Sequence, residues 1–313
     1  MILVCGEALI DLVPIVGAPE PTYAARPGGS LVNVAVGLGR LGIPTAFLGR
    51  ISRDPFGRQL RGALEAAGVD VRFVVEGDEP STVAVVDVVE GAEPVFTFHG
   101  EGTADRLLRA QDLPASLPDE VTALQFGSNS LLREPGASAY EALMRREHGR
   151  RIIGLDPNVR PGLVGDRGAY LRPLEGWVAL ADLVKVSRAD LAWLYPGGDP
   201  EAVAREWLAR GPAVVVVTRG SEGAVAYGPA GRIEVPGLPA AVVDTVGAGD
   251  AFTAGLLAAL VDAGRLERDA LRGTTADELR AALAFANAAA AVTCTRPGAD
   301  PPTREEIEGR AVA

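Results

Sequence analysis

Short apolar runs separated by amphipathic stretches set the rhythm of this chain. Residues 1–5, 45–49, 123–126, 151–155, 183–186 and 213–217 are apolar almost throughout rather than alternating, the pattern of strands covered on both faces. Between or after them, residues 56–67, 140–148, 200–210 and 277–292 carry helical periodicity. Strand and helix in regular succession predict an α/β fold: a doubly wound, mostly parallel sheet flanked by helices. Two segments break the succession, at about 12–27 and 81–98. In the second, Val83-x-Val85-x-Asp87 and Val95-Phe-Thr-Phe98 flank Glu90-Gly-Ala, which predicts hairpin-like strands in a small separate sheet. With no internal repeat and no low-complexity linker, residues 1–313 read as one α/β domain with those two segments inserted in it.

Composition narrows the class of protein. At 313 residues and 48% hydrophobic, the chain can bury a sizeable core. It has no uninterrupted apolar run of about 18 residues and no basic leader, so neither a membrane span nor a signal peptide is expected, and the cytoplasm is the expected location. The two cysteines, Cys5 and Cys294, read as reduced core residues, and with only His99 and His148 besides them a thiolate or imidazole zinc site is not expected. A formal charge of −11 argues against a nucleic-acid partner, whose binding needs clustered Lys and Arg. It leaves a mononucleotide open, because backbone donors and a divalent cation neutralise phosphates locally.

Candidate chemistry is densest at Asp244-Thr-Val-Gly-Ala-Gly-Asp250, which runs into the apolar stretch Ala251–Leu260. Gly247, Ala248 and Gly249 allow a tight turn with exposed N–H groups at a helix start, a place suited to the oxygens of a phosphoryl group in flight. Beside an anion, the Asp250 carboxylate is better suited to taking a proton from an attacking hydroxyl than to binding the anion. A plain helix N-terminus with an acidic first turn fits the same residues.

Nearer the N-terminus, Gly28-Gly29 before Asn33 allows close approach of backbone to a small ligand, and Asn33 can both donate to and accept from a sugar hydroxyl. Asp11, placed just beyond the first strand, is a candidate for holding sugar hydroxyls, since ligands collect at the carboxyl ends of strands. Turn roles for the glycines and for Asp11, and a helix-start role for Asn33, fit as well. Gly37-x-Gly39-x-x-Gly42 satisfies a dinucleotide-binding pattern literally, yet sits late in a helical stretch rather than at a strand-to-helix turn; helix packing and a helix stop account for it.

Taken in order, Gly28-Gly29-x-x-x-Asn33-x-Ala35 with Gly57, and Asp244-x-x-Gly-Ala-Gly-Asp250-x-Phe-x-x-Gly255, resemble the two signatures of the ribokinase, or PfkB, family of carbohydrate kinases. The likeness spans nearly the whole chain and is closest to the fructokinase branch, through Gly6–Asp11, Ala104-Asp105, Phe126–Ser128, Asp156-Pro-Asn-Val-Arg160 and Val184–Ser187. The resemblance implies a ribokinase-like fold whose small sheet is a lid that often pairs with a second subunit, hence a homodimer. It also implies transfer of the ATP γ-phosphoryl group to a sugar hydroxyl, with D-fructose the expected acceptor. Asp250 would be the base, and Asp11, Gly29 and Asn33 would hold the sugar; Arg160 would join them, though an Arg after Asp-Pro-Asn equally fixes a loop.

For the nucleotide, Thr218, Gly220 and Gly223 resemble the family's Thr-x-Gly-x-x-Gly turn, with a strand-to-strand hairpin fitting as well. Lys185-x-Ser187-x-x-Asp190 stands where the family organises magnesium-bound water, Asp190 being one methylene shorter than the usual Glu. Asn287, with Ala286 and Ala290, would border the adenine, with helix packing fitting the same stripe. Asp244 and Val246, with residues 292–299, resemble a potassium loop built from backbone carbonyls, although Asp244 fixing its own turn fits equally. Kinases for 2-keto-3-deoxygluconate, ribose or nucleosides share this catalytic turn, and a non-catalytic sugar or nucleotide sensor could keep the fold.

Overall fold

The computed structural model describes residues 1–15, 17, 20–87 and 95–310. The N-terminal part holds β1 (Ile2–Cys5), β2 (Leu9–Pro14), β3 (Tyr23–Gly28), α1 (Ser30–Arg40), β4 (Thr45–Leu48) and β5 (Arg50–Ser52). Then follow α2 (Pro55–Ala66), β6 (Val75–Gly77), β7 (Thr82–Asp87), β8 (Val95–His99), β9 (Ala123–Gly127), α3 (Gly136–Glu147) and β10 (Ile152–Asp156). The chain continues through α4 (Arg167–Leu180), β11 (Leu183–Ser187), α5 (Arg188–Leu194), α6 (Pro200–Arg210), β12 (Val214–Thr218), β13 (Ala224–Gly228) and β14 (Gly231–Val235). It ends with α7 (Ala248–Asp262), α8 (Arg268–Arg272), α9 (Ala276–Thr293) and α10 (Arg304–Arg310).

Eight strands form the main sheet in the order β14-β13-β12-β11-β10-β9-β1-β4. From β12 to β4 every neighbouring pair is parallel, and β13 and β14 close one edge antiparallel. Side chains alternate across a strand, and both faces here are covered, which is why the strands read as unbroken apolar runs. In β1, Ile2 and Val4 join the core beneath α1, α7 and α9, whereas Leu3 and Cys5 join the core beneath α3, α4 and α6. Cys5 and Cys294 are not joined in a disulfide. No helix among the described residues is long and apolar enough to cross a membrane.

The second sheet, β3-β2-β7-β8, corrects one sequence expectation. Its first strand starts at Leu9 rather than near residue 12, so Asp11 lies inside β2 and pairs with Arg26 of β3 instead of hanging at the end of a core strand. The expected turn at Glu90-Gly-Ala lies outside the described residues.

The literal dinucleotide pattern falls wholly in and after α1. A Cβ on Gly37 would lie 2.8 Å from Ala254 Cβ, and one on Gly39 would lie 2.2 Å from the Ala67 carbonyl oxygen. These glycines let α1 pack closely against α7 and the end of α2. Gly→Ala inside a helix ordinarily gains about 0.5–1 kcal/mol. We expect Gly39→Ala instead to lose about 1–3 kcal/mol because the carbonyl it meets is backbone. Gly62→Ala in α2, with nothing within 4 Å of the new methyl, serves as the control expected to gain. Urea unfolding of both variants checks the pair, and a stabilised Gly39→Ala would contradict the packing described.

Candidate active site

A cleft of about 750 Å³ opens at the carboxyl ends of the parallel strands, beneath the smaller sheet. The start of α7 forms part of its lining. Gly247 takes a left-handed conformation (φ 77°), and a Cβ there would also come within 2.6 Å of the Ala299 side chain, so both the turn and the close approach require glycine. The N–H groups of Gly247, Gly249 and Asp250 have no acceptor among the described residues, whereas that of Ala248 is bonded to the Thr245 carbonyl at 3.2 Å. Ala248 is therefore not one of the free donors that the sequence suggested, and it does not line the cleft. The donor set at this helix start is Gly247, Gly249 and Asp250.

Asp250 is buried with its carboxylate in a clamp from the first turn of α1. Its Oδ1 accepts the Ser30 hydroxyl at 2.6 Å, and its Oδ2 accepts the Asn33 amide at 2.8 Å. Burial pushes its pKa up; the Ser30 and Asn33 bonds and the charges of Arg160 and Lys185 pull the other way without cancelling it. Lys185, reaching from β11, places its ammonium 3.2 Å from where a Gly249 side chain would begin. That ammonium is buried and paired with Asp156 at 2.9 Å. Burial alone would lower its pKa, but the Asp156 carboxylate, with the charges of Asp190 and Asp250 adding to it, more than offsets this and holds it raised and charged. Asp156 Oδ2 also accepts the Thr253 hydroxyl, while its Oδ1 is buried with no partner.

On the side of the smaller sheet, Asp11, Gly29, Asn33 and Arg160 all line the cleft. A Cβ on Gly28 would fall 2.2 Å from Asp11 Oδ2, so the bare glycine leaves room for that carboxylate. Burial, then the Asp250 charge, push Asp11 up to about 7 against the opposing charge of Arg160. Arg160 donates to the Asn158 side-chain oxygen at 2.6 Å. Glu7, from the turn between β1 and β2, accepts the N–H groups of Ser30 and Ser130 and is pushed up to about 7, chiefly by burial.

Toward β12, Ser187, Asp190, Thr218 and Gly220 line the cleft along with Lys185. Ser187 and Asp190 form a reciprocal cap on α5, and Asp190 also accepts the Val159 N–H at 3.1 Å, tying α5 to the loop that carries Arg160. Burial raises the Asp190 pKa. The turn at Thr218–Gly223 joins the antiparallel strands β12 and β13, and so is a hairpin.

Three further candidates face elsewhere. A Cβ on Gly223 would meet the Val235 carbonyl oxygen at 2.2 Å, so this glycine serves the packing of the hairpin. Asn287 spends its amide on the Pro236 and Val235 carbonyls at the end of β14 and does not line the cleft. Asp244 accepts the N–H groups of Val246 and Gly298, pinning the entry to α7 against the segment after α9. Val246 itself lines the cleft.

Sequence reasoning missed Ser30, Asn158, Asp156 and Glu7. Ser30 stands between two residues singled out for other reasons, and Asn158 and Asp156 lie in a stretch that carries the family likeness but whose Arg alone is given a role. Their meaning comes from contacts across more than ninety residues of chain, such as Ser30 with Asp250.

Comparison with known proteins finds relatives along nearly the whole chain. A family model described as pfkB family carbohydrate kinase matches residues 1–306. A fructokinase of Rhizobium leguminosarum bv. trifolii is 44% identical over 261 residues, covering 83% of this chain and 79% of that protein. The crystal structure of a Xylella fastidiosa fructokinase with bound ATP superposes with a TM-score of 0.90 at 29% identity, covering 98% of this chain and 97% of that one. An aminoimidazole riboside kinase from Salmonella enterica, solved with its riboside and an ATP analogue, gives 0.85 at 29% identity and 98% coverage of both chains.

Removing the buried ammonium tests the electrostatics of the site floor. Lys185→Met leaves Asp156 buried without a countercharge and should lower the unfolding free energy by about 3–5 kcal/mol. Denaturant titration reads this directly; a loss under about 1 kcal/mol, the size seen for exposed pairs, would mean that water reaches the pair.

Proposed function

This chain belongs to the pfkB family of carbohydrate kinases, and we propose that it transfers the γ-phosphoryl group of ATP to a hydroxyl of D-fructose. The observation that carries the reading is a buried carboxylate, Asp250, set beside unpaired N–H groups at a helix start and above a buried ammonium. The fructokinase relative at 44% identity supports fructose over the riboside of the kinase that shares the fold.

In the proposed reaction Asp11, Asn33 and Arg160 hold the sugar, with Gly29 leaving room for it. Asp250 takes the proton of the attacking hydroxyl as its oxygen bonds to the γ-phosphorus and the bond to the bridging oxygen of ADP breaks. Its raised pKa suits a base that works near neutral pH. The N–H groups of Gly247, Gly249 and Asp250, together with Lys185, stabilise charge on the transferring group. Thr218 and Gly220 border the rest of the nucleotide.

Magnesium would be carried chiefly by the triphosphate, and Asp190, which lines the cleft, would hold one of its waters; among the described residues no group of three or more His, Cys, Asp and Glu could hold an ion unaided. When bound, it neutralises phosphate charge. Potassium would fit the junction of residues 244–247 with 294–299, where Val243 N–H meets the Cys294 carbonyl and Asp244 pins the turn through the Val246 and Gly298 N–H groups, and backbone carbonyls such as that of Val246 would be its ligands. We further propose that the chain acts as one ribokinase-like domain, with the smaller sheet as a lid through which two copies pair.

ADP release with ATP, magnesium and potassium, measured against fructose, ribose, 2-keto-3-deoxygluconate, adenosine and aminoimidazole riboside, tests the substrate. Fructose should give the highest kcat/KM; a larger value for any other acceptor would overturn the assignment. Asp250→Asn should lose about 10²–10⁴-fold in kcat while still binding both substrates. Because Asp11 accepts sugar hydroxyls best when ionised and titrates at about 7, KM for fructose should rise as pH falls below that value. A KM flat from pH 8 to 6 would contradict the role of Asp11.

A further inference from the structure

The first turn of α1 contributes a hydroxyl that the proposed reaction leaves unused. Ser30 is the first residue of the helix, buried, with its N–H held by Glu7 Oε1 at 3.1 Å. Its Oγ lies 2.6 Å from Asp250 Oδ1 and 2.9 Å from Asn158 Nδ2. The direction of these bonds is determined by chemistry. Arg160, which can only donate, meets the Asn158 side-chain oxygen, so the Asn158 nitrogen faces Ser30 and donates to it. The single Ser30 proton is then left for Asp250. Asn158 holds this position in a left-handed conformation (φ 40°), one that Asn tolerates better than most residues.

We propose that Ser30 is a positioning residue for the catalytic base, and that the polar chain Arg160–Asn158–Ser30–Asp250 sets the orientation of that carboxylate and its readiness to take a proton. The inference rests on Asp250 being the base. Ser30 holds one carboxylate oxygen, with the Asn158 amide also reaching it at 3.5 Å, and Asn33 holds the other, so the carboxylate plane is fixed from both ends, while Oδ2 keeps a second lone pair for a substrate hydroxyl. The far end of the chain is the Arg160 guanidinium, which lines the cleft. A sugar that engages Arg160 thereby acts on the base through Asn158, whose amide reaches Asp250 both by way of Ser30 and directly at 3.5 Å.

The other charged groups around Asp250 are Lys185 from β11 and Arg160, which favour its ionised form, and Asp11 of β2 and Glu7 of the turn before it, whose carboxylates repel it. A hydrogen bond from Ser30 to the ionised carboxylate lowers the pH at which the base becomes available. Its loss therefore moves the acid limb of the rate profile upward.

The test is kcat against pH for Ser30→Ala and Ser30→Gly, with Asp250→Asn alongside. Both Ser30 variants should shift the acid limb up by about one pH unit, so that turnover on that limb falls on the order of tenfold and recovers at higher pH, with KM for fructose within about twofold of wild type. A loss of equal size at every pH, an unmoved limb, or a shift in only one of the two variants would overturn the role of Ser30. If Asp250→Asn is inactive and the limb does not move, the inference about Ser30 fails alone. If Asp250→Asn turns over at a near-normal rate, the assignment of the base fails and takes this inference with it.

Discussion

A carboxylate that must stay ionised while buried at the start of α7 is the constraint on which the rest of this site depends. Stripped of water, Asp250 needs donors and countercharge, or it neutralises. Donors come from Ser30 and Asn33, which is why the α1 N-terminus is pressed against that of α7. Countercharge comes from Arg160 and from Lys185, which is itself buried and needs Asp156. Each charge calls for the next, and the resulting cluster sits at the carboxyl ends of β10 and β11. Helix starts point there, and adjacent loops leave a crevice. The bare backbone at Gly247, Gly249 and Gly255 lets these groups approach; a Cβ on Gly255 would meet the backbone of α9 at 3.0 Å.

The second sheet brings its own carboxylate to the same place. Asp11 rides on β2, and its pKa is raised partly by Asp250, so two acids of one cleft compete to be ionised. A bound sugar donating hydroxyls to both would favour the ionised state of each. Substrate binding and readiness of the base are thereby linked through electrostatics, with no change of backbone required. The smaller sheet thus has a chemical part in the site, since it delivers the Asp11 carboxylate to the cleft.

The sequence exposed what local pattern controls. Apolar runs located β1, β4, β9, β10, β11 and β12 because both faces of the sheet are covered, and the Gly-x-Gly-Asp turn located the helix start because left-handed backbone at Gly247 demands glycine. The sequence sets Asp11 just beyond the first strand, with the second sheet starting near residue 12, because nothing local in Leu9 and Ile10 separates them from the core; only the register with β3 shows that they have entered another sheet. Ala248 and Gly223 illustrate a different limit. Spacing shows that a residue belongs to a turn, but which N–H stays free, or which glycine packs against Pro236, depends on where the next segment lies. Ser30 and Asn158 were silent because serine and asparagine serve as caps and turns everywhere; their meaning lies in contacts over 220 and 128 residues of chain.

The most direct measurement is a crystal structure of the ternary complex with fructose and a non-hydrolysable ATP analogue. The account places one fructose hydroxyl within about 3 Å of an Asp250 oxygen and in line with the γ-phosphorus, with the γ-phosphate oxygens on the N–H groups at the start of α7. A fructose whose hydroxyls all lie beyond hydrogen-bonding reach of Asp250, or a γ-phosphate seated away from that turn, would contradict it.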